Sequence, residues 1–458
     1  MTCSPGNAGS IILDTSQLSI SENSAISAST VTEGNAGQLS IDATDFIEVD
    51  GGIISSSAEE ASSDILELIG LNPVLSGNAG EIKINTPNLS VINNGQINVR
   101  NQGSGIGGNI TINSDLILFD NSDLTAESFS EEGGNIIIES NRVNFDNSLI
   151  SASAKEQGGN ISLNTEDLNI TNSQIEAESN SQQGGNIALN SDRISIQNGT
   201  ISAESESGDG GNISLSASDF DVTSSQINAA SGSQGGGNIT ISGGERLLFQ
   251  DSNVTASASE LGDGGNVTID ADTILGINSD VTATAVRGDG GNITITADGV
   301  LGFAEREAKR DDGISDVDAS SRFGRDGVVI INNPLDTAND PLIALIENIQ
   351  EDVLSYLAGD CYNSEGKPLV TNSIHDNIPE TPDDDLDYAM PIDNEIIDDD
   401  NVPTESRSDT GISTEEMSPY LADMAIKTED GEVYLVNREQ IEQLEQRGCL
   451  ELKEAANE

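Results

Sequence analysis

Three Gly-Asp-Gly-Gly segments contain the residues whose type and spacing come nearest to a metal site. Their carboxylates belong to Asp209, Asp263 and Asp289. Carboxylate oxygens in glycine-rich turns are typical Ca²⁺ ligands, but calcium-binding β-rolls need a tandem nine-residue repeat, which this sequence does not contain. We therefore expect exposed turn aspartates at these positions, with weak surface binding of calcium as the remaining alternative.

The cysteines and the histidine offer little further chemistry. Cys3, Cys361 and Cys449 form no CxxC pair, and the single histidine, His375, stands in an acidic segment without a neighbouring metal ligand. Zinc binding and cysteine redox chemistry are therefore disfavoured. Cys361 and Cys449 both follow the repeats, so they either form a disulfide in an oxidising compartment or remain two unrelated thiols.

The composition restricts the kind of core that could position these groups. The chain of 458 residues has 47 glycines, no tryptophan, 3% aromatic residues and a formal net charge of −61. Bulky side chains are too few for several globular cores, so we expect a thin, repetitive core. The negative charge argues against nucleic acid and anionic membranes as partners. No signal peptide and no apolar run of transmembrane length is visible.

A repeat of about 26 residues is the dominant signal. A Gly-Asn-Ala-Gly or Gly-Gly-Asn-Ile motif recurs with its asparagine at 7, 35, 78, 109, 135, 160, 186, 212, 238, 266 and 292. Each unit holds three short segments of alternating apolar residues, such as Ile161/Leu163, Leu168/Ile170 and Ile175/Ala177. This period and alternation predict an all-β parallel β-helix of about 11–12 coils with three strands per coil. The second column of inward pairs includes Leu247/Phe249 and Leu275/Ile277.

Polar positions also recur, and we interpret them as structural. Glycine pairs before the first strand are expected to adopt positive φ at a corner, and the asparagine that follows can stack its amide on the next coil. A second polar column marks the corner between strands two and three, at Asn121, Asn147, Asn172, Asn198, Ser224, Asp251 and Ser279. Corners of a coil need turn residues whatever the function.

Two coils are longer than the period. Residues 58–75 and 303–313 read as lateral insertions, after which Val317 and Ala319 resume the third column and a last strand follows Gly327. Loops on one face of a solenoid either bind partners or are tolerated insertions, and the sequence leaves both alternatives open.

The GNAG and GGNI units and the closing stretch from Gly324 to Pro334 resemble the repeat region of filamentous-haemagglutinin-like exoproteins of the two-partner secretion pathway. The resemblance covers residues 6 to about 335. It implies a right-handed β-helix that is secreted or attached to the outer cell surface, with an adhesive role and an outer-membrane transporter as export partner. Such proteins carry an N-terminal secretion domain, and this chain begins within the repeats, as expected for an N-terminally truncated exoprotein.

Parallel β-helices also include polysaccharide lyases and hydrolases. A lyase needs a basic catalytic residue and calcium, and a hydrolase needs two or three close carboxylates. Basic residues are rare between residues 100 and 300, where only Arg100, Arg142, Lys155, Arg193, Arg246 and Arg287 occur. Arg142 and Arg193 lie in similar corners two coils apart, without a carboxylate cluster that breaks the repeat. The regular coils therefore favour a non-catalytic protein that binds a surface glycan or protein, with a carbohydrate-active enzyme as the alternative.

The sequence divides into four parts. Residues 1–335 are the β-helix, and 336–370 contain an amphipathic segment at 340–359, which we expect to be a helix that caps the rod. Residues 371–418 hold 15 acidic residues against one basic residue and are expected to be a disordered linker. Residues 419–458 predict a small module, with a hairpin around Glu429-Asp430-Gly431 followed by a helix.

Overall fold

In a computed structural model of the protein, the described residues are 6–22, 24–31, 33–59, 75–308 and 313–333, together with four short strands nearer the C-terminus. Contacts divide the chain into two units, Met1–Ala338 and Asn339–Glu458. The described part of the first unit contains only strands and turns, and its parallel strands stack as a β-solenoid of about 11 turns. The predicted all-β parallel coil is confirmed, and its right-handed sense stays a prediction.

The strands of the first unit follow the chain in regular alternation of long and short segments. They are β1 (Ile11–Ser21), β2 (Ala25–Ser27), β3 (Gln38–Asp50), β4 (Ile53–Ser55), β5 (Glu81–Ile92), β6 (Gln96–Asn98), β7 (Asn109–Asp120), β8 (Asp123–Thr125), β9 (Asn135–Asp146), β10 (Leu149–Ser151), β11 (Asn160–Asn164), β12 (Asp167–Thr171), β13 (Gln174–Glu176), β14 (Asn186–Asn190), β15 (Arg193–Gln197), β16 (Thr200–Ser202), β17 (Asn212–Thr223), β18 (Gln226–Asn228), β19 (Asn238–Gln250), β20 (Asn253–Thr255), β21 (Asn266–Ile277), β22 (Asp280–Thr282), β23 (Asn292–Leu301), β24 (Phe303–Glu305), β25 (Ser315–Asp318) and β26 (Val328–Asn332).

These strands form two sheets, both parallel. The long strands, which span the first two predicted columns, make a 14-stranded sheet that runs from β1 to β26, and the short strands of the third column make a 12-stranded sheet that runs from β2 to β24. In two coils the long strand is divided, into β11 and β12 and into β14 and β15. The first two columns are therefore one bent strand in most coils.

Alternation places one face of every strand in a single continuous core. Ile161, Leu168 and Ile175 are each at most 1% exposed, as the pattern predicted. One assignment was wrong: Ile274 and Gly276, not Leu275 and Ile277, pair with Leu247 and Phe249 and face inward. Leu247 follows Asn238 by nine residues, whereas its partner Ile274 follows Asn266 by only eight. A shift of one residue turns every side chain of a strand to the other face.

The glycine pairs serve close approach and not positive φ, which corrects our expectation. A Cβ at Gly185 would overlap the carbonyl oxygen of Gly159 one coil earlier, and one at Gly184 would overlap the carbonyl oxygen of Ala203. The same clash recurs at the equivalent glycines of the other central coils. Glycine is therefore needed because the backbones of successive coils meet at this turn.

The predicted amide ladder is present on the outer surface and is continuous in one column, while the corner column has separate bonds of the same kind, such as Asn198 Nδ2 to Asn172 Oδ1 at 3.2 Å. From Asn109 to Asn292, the Nδ2 of each asparagine donates to the Oδ1 of the one before, at 2.7–2.9 Å. Asn35 and Asn78 do not belong to it, because Gln38 and Glu81 occupy the position of Asn109. The asparagine series read from the sequence therefore joined two different columns.

The corner between the second and third columns is held by left-handed residues. Positive φ occurs at Asn93, Asn94, Asn121, Asn147, Asn172, Asn198, Ser224, Asp251 and Asn278. Asn278, not Ser279, therefore belongs to this column. Ser279 belongs to a buried serine column that the sequence analysis missed: its Oγ accepts from the Ser252 N–H at 3.0 Å and donates to the Ile277 carbonyl at 2.9 Å.

The final coil is closed by a strand that lies out of chain order. β24, from the predicted insertion 303–313, pairs with the far edge of β25, although it precedes β25 in sequence. The ring of Phe303 occupies the space over Gly276 and meets Phe249 edge-on, with the ring centroids 6.3 Å apart. Val317 and Ala319 are buried in the third column, as predicted. The start of this insertion is thus part of the 12-stranded sheet. Residues 309–312 of the insertion lie outside the described residues.

Other predictions also concern residues that are not described. These are 60–74 of the first insertion, the helix at 340–359, Cys3, Cys361, Cys449 and His375.

The second unit is described by four strands, β27 (Val370–Ser373), β28 (Met424–Lys427), β29 (Val433–Val436) and β30 (Leu450–Lys453). β28 and β29 are antiparallel on either side of the predicted hairpin turn. β27 pairs with β30 in parallel. Residues 371–373 therefore form a strand where we expected a linker, and residues 450–453 form a strand where we expected a helix. Among all described residues, no helix is long and apolar enough to cross a membrane.

Candidate functional site

The three Gly-Asp-Gly-Gly aspartates lie in one exposed column and act as turn caps. The Oδ1 of Asp209 accepts from the Gly235 N–H at 2.9 Å, that of Asp263 from the Asp289 N–H at 2.7 Å, and that of Asp289 from the Arg325 N–H at 2.9 Å. Each carboxylate therefore satisfies a backbone donor of the following coil.

Asn35 and Asn78 make the same contact earlier in the chain. The Oδ1 of Asn35 accepts from the Asn78 N–H at 2.9 Å. A neutral amide oxygen thus performs this role as well as a carboxylate does, which supports a structural reading of the column. Within the described residues, no group of three or more His, Cys, Asp or Glu side chains is arranged to hold a metal ion.

A stripe of alternating charge lies at the bend of the long strands. Its members are Arg142, Asp167, Arg193, Asp219 and Arg246, which are register partners in five successive coils. We call them the arginine–aspartate stripe. Three of the six basic residues between 100 and 300 are gathered here.

Ion pairs connect neighbouring coils along the stripe. Arg142 Nε is 3.4 Å from Asp167 Oδ2, and Arg193 Nη2 is 3.9 Å from Asp219 Oδ2. Arg246 Nη2 reaches Asp221 at 3.0 Å. The arginine side chains remain 48–62% exposed, so water screens these pairs and their contribution to stability is small.

Small hydroxyl residues hold the bend beside the stripe. Thr165 Oγ1 donates to the Asp167 carbonyl at 3.3 Å, and Ser191 Oγ donates to the Arg193 carbonyl at 2.8 Å. Asp115, Glu166 and Asp192 border the bend, and with Arg142, Asp167, Arg193 and Asp219 of the stripe they line a groove of about 560 Å³, which we call the corner groove. The lining ends at Glu245, next to Arg246.

Arg142 and Arg193 were recognised from the sequence as equivalent corner residues, but the alignment of Arg246 with them was not predicted. The residues Gly243 and Gly244 enlarge the bend, and the register shifts between Ser242 and Arg246. A signal was nevertheless present. Arg142 precedes the buried Phe145 by three residues, and Arg246 precedes the buried Phe249 by the same interval.

A second groove lies beside the 12-stranded sheet and gathers carboxylates of like sign. We call it the glutamate groove; it measures about 850 Å³ and is lined by Glu127, Lys155, Glu178, Glu204 and Glu206, with the half-exposed Phe129 at its margin. Asn228 Nδ2 donates to Glu204 Oε2 at 2.8 Å. This groove was not predicted from the sequence, because its four glutamates come from three different coils.

Glu176 lies on the strand next to this groove, directly after the buried Ile175. Burial, together with the charges of Glu178 and Glu127, raises the pKa of Glu176 from 4.5 to about 7. Burial and Glu178 also raise the pKa of Glu204, opposed by the hydrogen bond from Asn228. A carboxyl group beside the groove therefore keeps its proton up to nearly neutral pH.

Comparison with known proteins adds no identity. No protein-family model matches the chain, and no curated protein and no solved structure is significantly similar to it. The function of this protein is therefore inferred below from its residues and their geometry.

Proposed function

We propose that this protein is a non-catalytic, adhesin-like structural protein that attaches a cell to a glycan or protein of another surface. The observation that carries the proposal is the continuous amide ladder on the outer surface of the coils. The amide ladder continues from Asn109 to Asn292 without a missing member. Catalytic sites in a repeat are expected where the repeat is broken, and these coils repeat the same polar surface instead.

A repeated surface suits attachment because weak contacts add along the rod. Each coil presents equivalent groups about 4.8 Å from the next, so an extended or multivalent partner can engage several coils at once. The net charge of −61 keeps the molecules apart in solution.

Export to the cell surface or the medium belongs to the same proposal, with an outer-membrane transporter as partner. Its support is the resemblance of residues 6–335 to two-partner exoproteins. Protease added to intact cells that express the chain from its native locus should digest it. Complete protection in intact cells, with digestion after lysis, would contradict export.

A carbohydrate-active enzyme is the second candidate, and the glutamate groove favours it. A proton-carrying Glu176 near Glu178 resembles the acid and base pair of a hydrolase, and Lys155 is a basic residue in the adjacent groove.

One experiment separates the two functions. The purified full chain is incubated with neutral and acidic polysaccharides, with and without calcium, while binding to the same polysaccharides on a surface is recorded. We expect retention on the surface without new reducing ends or unsaturated products. Turnover that Glu176→Gln abolishes would replace the adhesin proposal with the enzyme.

A further inference from the structure

We propose that the corner groove is a binding site for a linear, neutral glycan that lies along the rod axis. The inference rests on the proposed attachment function and assigns it to particular residues. The lining of the groove continues to Glu245, next to Arg246, so the groove runs beside the five coils of the arginine–aspartate stripe, about 19 Å at the usual spacing of parallel strands.

The direction and period of the groove favour a linear repeating ligand. Arg142, Arg193 and Arg246 occupy equivalent positions in alternate coils, which places them about 10 Å apart along the axis. That interval is close to the length of a disaccharide in an extended glycan. A compact ligand could contact only one of these arginines.

The chemistry of the stripe favours hydroxyl groups. Arginine offers only hydrogen-bond donors and aspartate only acceptors, and the two alternate at each coil. A hydroxyl group can accept from a guanidinium and donate to the next carboxylate, so one sugar can bridge each step of the stripe. The ion pairs use few of the five donors of each guanidinium, and the arginine side chains are about half exposed or more.

Other ligand classes fit less well. Asp115, Glu166, Asp192 and Glu245 line the groove as well as the aspartates of the stripe, so carboxylates outnumber arginines and would repel a polyanion. Leu116 is the only large apolar side chain of the lining, so an apolar ligand would find little surface.

The alternation also has a purely structural explanation, because opposite charges on neighbouring strands avoid repulsion. If the arginines bind a glycan, removing them should weaken its binding; if they only avoid repulsion between strands, glycan binding should not depend on them. The test variant is therefore the triple substitution Arg142→Ala, Arg193→Ala and Arg246→Ala in the full chain. The matched control removes three exposed positive charges elsewhere, with Lys83→Ala, Arg287→Ala and Arg325→Ala.

The probes are a length series of neutral β-linked oligosaccharides, the corresponding uronic acid oligosaccharides and a lysine-rich peptide, with binding measured by calorimetry. Circular dichroism checks that both variants keep the β spectrum. We expect affinity for the neutral series to rise with length until the ligand spans Arg142 to Arg246. The triple variant should lose about tenfold or more in affinity, and the control should bind like the original chain.

Three results would overturn this assignment. They are unchanged neutral-glycan binding by the triple variant, tighter binding of the uronic acid series, and tighter binding of the lysine-rich peptide. Surface attachment that persists in the triple variant would reject this groove and leave the proposed function standing. If the original chain attaches to none of the polysaccharides or protein-coated surfaces offered, both proposals fail.

Discussion

The corner groove and the glutamate groove are built on the same stacked coils and differ in how neighbouring charges are ordered. In the corner groove, Arg193 lies between Asp167 and Asp219 in register, so this arginine has an opposite charge in the coil above and in the coil below. In the glutamate groove, Glu178 and Glu204 come from adjacent coils, and the charge of Glu178 raises the pKa of both Glu204 and the neighbouring Glu176.

This difference shows what a parallel solenoid does to surface charge. Stacking places equivalent positions about 4.8 Å apart, so the identity of a residue in one coil changes the environment of the next. Opposite signs produce a mixed, exposed stripe. Like signs, combined with burial, produce a carboxyl group whose pKa reaches about 7 at Glu176.

The largest effect should come from breaking the spacing on which both grooves depend. Gly185→Ala would push a methyl group into the backbone of Gly159 and against the Cβ of Ala177, so we expect a loss of about 3 kcal/mol or more in the free energy of unfolding. Thermal unfolding followed by circular dichroism measures it.

The matched control for that substitution is Gly235→Ala, at a glycine in the same turn region. The nearest atom to a Cβ there is the Asp209 side-chain oxygen at 3.3 Å, so the cost should stay below about 0.5 kcal/mol. Equal losses for the two variants would mean that close approach of the coils is not the reason for glycine.

The second prediction concerns the like-charged groove and its dependence on pH. The pKa of Glu176 is higher in the folded chain than its value of 4.5 in the unfolded chain, so between about pH 4.5 and 7 the folded state keeps a proton that the unfolded state releases. Its contribution to the free energy of unfolding therefore falls as pH rises through this window.

Glu176→Gln should remove that loss. Because Glu176 is only partly buried, we discount the shift for solvent screening and expect a gain of roughly 1–2 kcal/mol at pH 8 and little change at pH 4. Urea unfolding at the two pH values measures the difference. A Glu206→Gln variant, at an exposed position of the same groove, controls for the loss of one negative charge. A gain that is independent of pH would contradict the titration.

The smallest effect should come from reversing one charge of the corner groove. Arg193→Glu places three carboxylates in successive coils at 167, 193 and 219, and we expect a loss of about 0.5–1 kcal/mol that shrinks in high salt. The double variant Arg193→Asp with Asp219→Arg keeps an opposite pair between those two coils but places like charges beside Asp167 and Arg246. It should therefore recover only part of the loss. Full recovery, or a loss insensitive to salt, would show that the order of charges along the stripe does not matter.

Much of the fold follows from the sequence alone, because the relevant patterns are local. Alternation such as Ile161 and Leu163 identifies a strand and its buried face, and recurrence of that pattern every 26 residues or so requires parallel stacking. The turn role of Asp209 and its partners and the stacking of the asparagine amides were also within reach, because these residue types have few other uses at a coil corner.

The tertiary structure decided what depends on register between coils. Insertions of one or two residues within a coil leave local alternation intact but change which residue lies above which, as at Ile274 and Arg246. Only the hydrogen bonds between coils reveal these partners. For the same reason, the closure of the last coil by Phe303, the backbone contacts that require Gly185 and the gathering of glutamates around Glu176 could not be read from the sequence. Each depends on which segments of the chain lie side by side in the folded coils, and the local alternation of apolar residues does not specify that alignment.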